Sequence, residues 1–326
     1  MTDPVGLVDA VPGGDRGPHL TIERAALARL LSIVEGGGEE ARAAMAALPV
    51  TAADDAWTVG ITGAPGAGKS TLTAALVRHL RAAGARIGVL AVDPSSPFTG
   101  GAILGDRVRM HDHTTDPDVF IRSMASRGHL GGLARAVPQA IRVLAAAGHD
   151  WIVVETVGVG QIEVEIAGTA DTTVVVVNPG WGDGVQAAKA GLLEIGDVFV
   201  VNKADRDGVP ATVHDLEGML ELAGERAWRP PVLETVATTD RGVDALVDAI
   251  GRHRASLEGS GELAERREQR IADEIRALVL DRLIKQADDF CSGTRFATVV
   301  RRVADGESDP YTAATLLTEG DDGGEA

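Results

Sequence analysis

The sequence predicts an α/β fold: a mostly parallel sheet covered by helices on both faces, with helical extensions at its N-terminal and C-terminal ends. Three observations lead there. From Trp57 onward, short apolar runs alternate with segments of helical periodicity, the pattern of βαβ units. Runs such as Val174-Val175-Val176-Val177 are apolar at every position, as strands covered on both faces must be. Beyond Leu263 the alternation stops, and a long helical pattern follows with no strand after it.

Residues 1–18, rich in Gly, Pro and Asp, read as a disordered lead-in. Thr21 then stands where an N-cap would, and Ile22, Ala25, Ala26, Leu30 and Ile33 recur at helical spacing. A second short helix, Glu39 to Leu48, follows the glycine break at 36–38, so that 19–56 form an N-terminal helical extension. Strands are expected at Thr58–Thr62, Ile87–Val92, Val119–Arg122, Trp151–Glu155, Thr173–Val177, Val198–Asn202 and Val232–Thr235. Helices are expected near Lys69–Ala83, Leu130–Ala147, Val185–Glu194, Val209–Leu222 and Val243–Ala255. The sheet domain is thus 57–257, followed by a helical extension over 258–317 and an acidic tail at 318–326. Along Leu263–Lys285, Ile271, Ile275, Leu278, Val279, Leu283 and Ile284 form a broad apolar stripe. Packing against the chain's own domain and a dimer interface both remain open for it.

The 326 residues carry 31 Lys+Arg against 48 Asp+Glu, a net charge of −17. That balance disfavours nucleic acid, which demands net positive charge, and an anionic membrane surface. It leaves open a phosphorylated small molecule held by local backbone N–H groups. A single cysteine, Cys291, allows no intrachain disulfide and fits a reducing cytoplasm. Neither a signal-peptide pattern nor an apolar run of about 18 residues occurs, so no targeting segment or membrane span is expected.

Gly63-Ala64-Pro65-Gly66-Ala67-Gly68-Lys69-Ser70 matches the phosphate-loop pattern G-x-x-x-x-G-K-[ST], after an apolar strand and opening a helix. Its backbone N–H groups would surround phosphates and the helix N-terminus would add positive potential. Lys69 would reach the β- and γ-phosphates and the Ser70 hydroxyl would ligate Mg²⁺, with Thr71 completing the nucleotide-contacting run. Asn202-Lys203-Ala204-Asp205, after the apolar run Val198–Val201, is the N-K-x-D element that selects guanine. The Asp205 carboxylate would accept from N1–H and the exocyclic amine, and adenine offers no such pair of donors. The Ala237-Thr238 segment is the expected second base contact.

Glu155 ends a hydrophobic strand and Asp93 ends another, so both carboxylates face the expected metal position, and Gly158 would bring its N–H to a γ-phosphate. The polar stretch from Asp93 to Phe120 reads as a switch loop. In it Asp106 would join the metal sphere on closure, and Arg107 and Arg109 either neutralise phosphate or face solvent. His111 and His113 make only a weak H-x-H pattern. A further Gly-rich loop at 178–184 carries Trp181, a candidate partner contact. No Gln directly follows Gly158, Gln161 being three residues on, and no arginine finger is assignable; slow intrinsic hydrolysis, accelerated by a partner, follows.

Together GAPGAGKS (63–70), VDPSSP (92–97), GAILGDRVRM (101–110), VFIRSMASRGHLGG (119–132), ETVGVGQ (155–161) and NKAD (202–205) resemble the MeaB/ArgK-type GTPases, bacterial relatives of the human methylmalonic aciduria type A protein. The resemblance implies a P-loop NTPase of the SIMIBI, metallochaperone-like class, and a homodimer formed through the C-terminal helices. It further implies a chaperone of an adenosylcobalamin-dependent acyl-CoA mutase that gates cofactor loading and protects the enzyme. Lys69, Ser70, Asp93, Asp106 and Glu155 would be its Mg²⁺–phosphate site, with Lys69, Asp106 and Glu155 as the catalytic residues. The segments near 94–113, 155–162 and 178–189 would be its switches, and GTP and GDP its ligands. The alternatives are a nickel-insertase GTPase, for which eight dispersed His and one Cys supply no metal store, and a P-loop kinase, against which NKAD counts.

Overall fold

Parallel strands need crossover connections of a dozen or more residues or a helix, and the connections between the apolar runs of this chain are long enough to supply them. The computed structural model describes residues 9–10, 20–21, 23–49, 56–94, 115–126, 132–156, 167–180, 191, 193–222 and 227–319. Among them, β3 (Trp57–Gly63), β4 (Ile87–Pro94), β5 (Val119–Ser126), β6 (Trp151–Thr156), β7 (Thr172–Val177), β8 (Val198–Asn202) and β9 (Val232–Thr235) form one seven-stranded sheet. Its order is β5-β4-β6-β3-β7-β8-β9, and every pairing is parallel. A separate pair, β1 (Asp9–Ala10) with β2 (Leu20–Thr21), is antiparallel.

Side-chain alternation divides the sheet's apolar residues between two faces. Val153, Val174, Val176, Val198 and Val200 join Val59 and Ile61 under α3 (Lys69–Ala82) and α6 (Val243–Ser260). Ile152 and Val154 point the other way, to α1 (Arg24–Gly36) and α4 (Gly132–Ala146), while Val175, Val177, Phe199 and Val201 pack with α5 (Val209–Leu222). The N-terminal extension is therefore core: Leu27, Leu30, Leu31 and Val34 of α1 are buried in the same cluster as Leu144 and Met124. α2 (Gly38–Ala46) packs on α1 and adds Ala44 to that cluster. One local expectation fails. Thr21 lies in β2, and α1 starts three residues later with Glu23 at its N-cap and no side-chain cap. An antiparallel pairing partner has claimed the residue that a helix start would have used.

The chain divides into two compact units, Met1–Arg270 and Ile271–Ala326. The second holds most of α7 (Glu262–Phe290), then α8 (Gly293–Ala304) and α9 (Pro310–Glu319). Arg295 of α8 donates to the Leu316 carbonyl at 2.6 Å, and Asp309 caps α9 by accepting from the Tyr311 and Thr312 N–H groups. No described helix is long and apolar enough to cross a membrane.

Burial lowers the pKa of His149 from 6.5 to about 4; its Nδ1 lies 2.8 Å from the Leu144 carbonyl, the distance of an N–H donor to that oxygen. Below pH 6.5 the unfolded chain takes up a proton that the folded chain refuses, so stability falls as pH drops toward 4. At pH 5 the loss is about 2 kcal/mol. Urea midpoints at pH 7.5 and 5 check this. The His149→Gln variant, less stable at pH 7.5, is expected to lose that much less on acidification.

Candidate functional site

Phosphate loops need a strand that stops at the sheet's edge and a helix that starts there, with little side chain between. β3 stops at Gly63 and α3 starts at Lys69. Gly63 has φ +134°, and a Cβ on it would stand 2.0 Å from the Val176 carbonyl oxygen of β7, so no side chain fits. Gly66 has φ +74° with open space around it. Gly68 occupies the α3 N-cap at φ +93°, against the Asn202 side-chain amide.

Lys69 is buried, and its Nζ donates to the carbonyls of Gly63 at 2.7 Å and Ala64 at 3.0 Å, closing the loop on itself. Ser70, also buried, donates from Oγ to Glu155 Oε1 at 2.5 Å. Glu155 comes from β6, in register with Ile61 of β3. A hydroxyl and a carboxylate, both buried at the positive end of α3, form a hard oxygen donor pair of the kind Mg²⁺ takes. Thr71 follows on the same helix, half-buried, and Pro65 is exposed on the loop.

The far wall comes from β8 and β9. Asn202 is buried; its Nδ2 donates to the Ala67 carbonyl at 2.9 Å, and its Oδ1 accepts from Thr235 Oγ1 at 3.1 Å and Ala237 N–H at 3.2 Å. Lys203 has φ +61° and donates from Nζ to the Gly66 carbonyl at 2.6 Å. Asp205 is exposed on the turn that follows, while Ala237 is buried and Thr238 exposed. Phosphate loop, Asn202-Lys203 and Ala237 are thus one hydrogen-bonded assembly, with Asp205 and Thr238 at its open side.

Several expected residues lie wholly or by their side chains outside the described ones. Asp93 is the last residue but one of β4, opposite Ala125 of β5, and its side chain lies outside the described residues. Asp106, Arg107, Arg109, His111, His113, Gly158, Gln161 and Trp181 all lie outside them too. Among the described residues, no group of three or more His, Cys, Asp and Glu is placed to hold a metal.

At the opposite end of the sheet lies a charged clasp that no motif announced. Asp171, just before β7, accepts the Thr58 N–H of β3 at 2.9 Å, and Arg270 donates to it at 2.5 Å. Arg267 adds two contacts to Asp171 at 3.4 Å and donates to the Ala56 carbonyl at 3.2 Å. Asp197, just before β8, accepts the Thr173 N–H at 2.8 Å and pairs with Arg266 at 3.2 Å, with Nε2 of the buried His253 lying 3.3 Å away. Desolvation lowers the His253 pKa against the pull of Asp197. The readable signal was an aspartate directly before each of two apolar parallel strands.

Comparisons with known proteins bear on the family. A GTPase-named protein of Pyrococcus abyssi is 51% identical over 300 residues, covering 90% of this chain and 92% of its own. The methylmalonic aciduria type A homolog of Mus musculus, mitochondrial by its name, is 36% identical over 265 residues, covering 79% of this chain and 64% of its own. A crystal structure described as a LAO/AO transport system kinase superposes with a TM-score of 0.66 at 28% identity, covering 91% of this chain and 93% of the other. The sequence model of one family, described as methylmalonyl-CoA mutase-associated GTPase MeaB, matches residues 27–290. A match that runs from the core helix α1 through the phosphate loop, the N-K-x-D turn and α7 leaves one reading: this chain is a P-loop GTPase and belongs to the MeaB family.

Proposed function

We propose that this GTPase is the chaperone of an adenosylcobalamin-dependent acyl-CoA mutase, using GTP turnover to gate cofactor loading and protect the enzyme. The observation that carries this reading is the family match over 27–290, whose description names a mutase. GTP and GDP bind along the assembly from Gly63 to Ala237. Lys69 and the phosphate-loop N–H groups offset the phosphate charge, and the N-K-x-D turn with Ala237-Thr238 holds guanine. Ser70 and Glu155 would hold Mg²⁺, with Asp93 and Asp106 as its further expected ligands. The ion supplies charge neutralisation at the phosphates. Lys69 stabilises charge that develops on the transferred phosphoryl group.

The protein acts in the cytoplasm as a homodimer. Ile271, Ile275, Leu278, Val279, Leu283 and Ile284 are 38–57% exposed in the second unit, and no described residue of α7 is buried. So continuous an apolar stripe supports a partner, and a second copy of this chain fits it. Co-purification with a candidate mutase tests the reading, with GTP hydrolysis measured with and without it. A stable complex and at least about tenfold stimulation are expected. Absence of both, or stoichiometric Ni²⁺ binding in place of mutase binding, overturns it.

A further inference from the structure

The loop from Val236 to Gly242, which carries Ala237 and Thr238, is tied down at more points than a surface loop needs. Val236 N–H donates to the Arg241 carbonyl at 2.9 Å, and Thr239 N–H donates back to the Val236 carbonyl at 3.0 Å. At its tip Asp240 adopts φ +59°, in the left-handed region that only glycine enters freely. The Asp240 carboxylate is taken in a fork by Arg78, with Nη2 at 2.5 Å from Oδ1 and Nε at 3.4 Å from Oδ2. Arg78 belongs to α3, the helix that begins at Lys69. The next residue, Arg241, donates to the Ala204 carbonyl at 2.8 Å, one position before Asp205. Adjacent residues of one loop therefore reach the phosphate-loop helix on one side and the N-K-x-D turn on the other.

Backbone held out of its ordinary region persists only where surrounding contacts fix it, and such positions cluster at binding sites. We infer that Arg78 and Asp240 are a positioning pair, whose fork sets the base-contacting loop at a fixed distance from the phosphate loop and so controls guanine-nucleotide retention and base selectivity. This rests on reading Ala237-Thr238 as a base contact. A backbone N–H on that loop is a donor. It matches the 6-oxo group that guanine and hypoxanthine share and adenine lacks. Loosening the loop therefore weakens GDP and IDP by the same factor and leaves ADP, already weak, unchanged.

The test is a double-mutant cycle on the full chain with Arg78→Gln and Asp240→Asn; asparagine tolerates the left-handed backbone, so only the charge is lost. Dissociation rates of fluorescent GDP, IDP and ADP are measured, together with urea midpoints of the nucleotide-free variants. Each single change is expected to speed GDP and IDP release about fivefold, with the double variant no faster than either single one. Unchanged release rates, additive effects, or a loss of urea stability with no change in release overturn the positioning role. Asp205→Asn separates the two layers. If it shifts preference toward xanthine while the cycle is flat, the base site stands and the pair fails. If it keeps full preference for guanine, the base-site reading itself fails.

Discussion

Asp171→Ala is expected to destabilise the first unit by about 3–5 kcal/mol, the cost of removing one partner from a buried charged cluster. The side chain is 2% exposed, and three groups depend on it: the Thr58 N–H and the guanidinium groups of Arg267 and Arg270. Alanine leaves the Thr58 N–H without its carboxylate acceptor and strands positive charge against the sheet. Asp171→Asn keeps an acceptor oxygen and should cost less, about 1–3 kcal/mol. Urea unfolding of both variants measures the difference. A loss below 1 kcal/mol for the alanine variant would mean that the clasp adds little to the stability of the first unit.

Lys69→Ala is expected to weaken GTP and GDP by at least about a hundredfold, with the sheet intact. Losing one partner of a buried charge–charge contact costs about 2–5 kcal/mol of binding. Lys69→Arg should rescue little, because a guanidinium is larger and planar in a space that now holds a slim ammonium between the Gly63 and Ala64 carbonyls. Fluorescent-nucleotide titration reads this directly. An affinity within threefold of the parent would remove Lys69 from the phosphate site.

Much of the sheet was legible because its strands carry apolar runs, such as Val174 to Val177, and its motifs sit at strand ends, where chain direction forces side chains toward one site. Gly63 to Ser70, Glu155 and Asn202 converge for that reason. The Thr21 cap was misread because a two-residue strand pairing outcompeted a local signal. Arg78–Asp240 was not legible, and of the Asp171–Arg270 contact only the aspartate standing before its strand could be read. Each joins residues far apart in sequence, and a lone arginine on a helix looks the same whether it meets water or a carboxylate. The core role of α1 was half-legible: its apolar period was plain, but not that α4 and the β4–β5 edge of the sheet would receive it.

The phosphate-loop glycines make two separable demands. Gly63 is short of room, since the β-carbon of an L-residue there would stand 2.0 Å from the Val176 carbonyl oxygen. Gly66 has room and asks only for handedness, its φ of +74° being ordinary for a mirror-image residue. In a semisynthetic protein D-alanine therefore suits the backbone handedness at Gly66. Chirality, rather than size, is what fixes the second position as glycine in a chain made of L-residues.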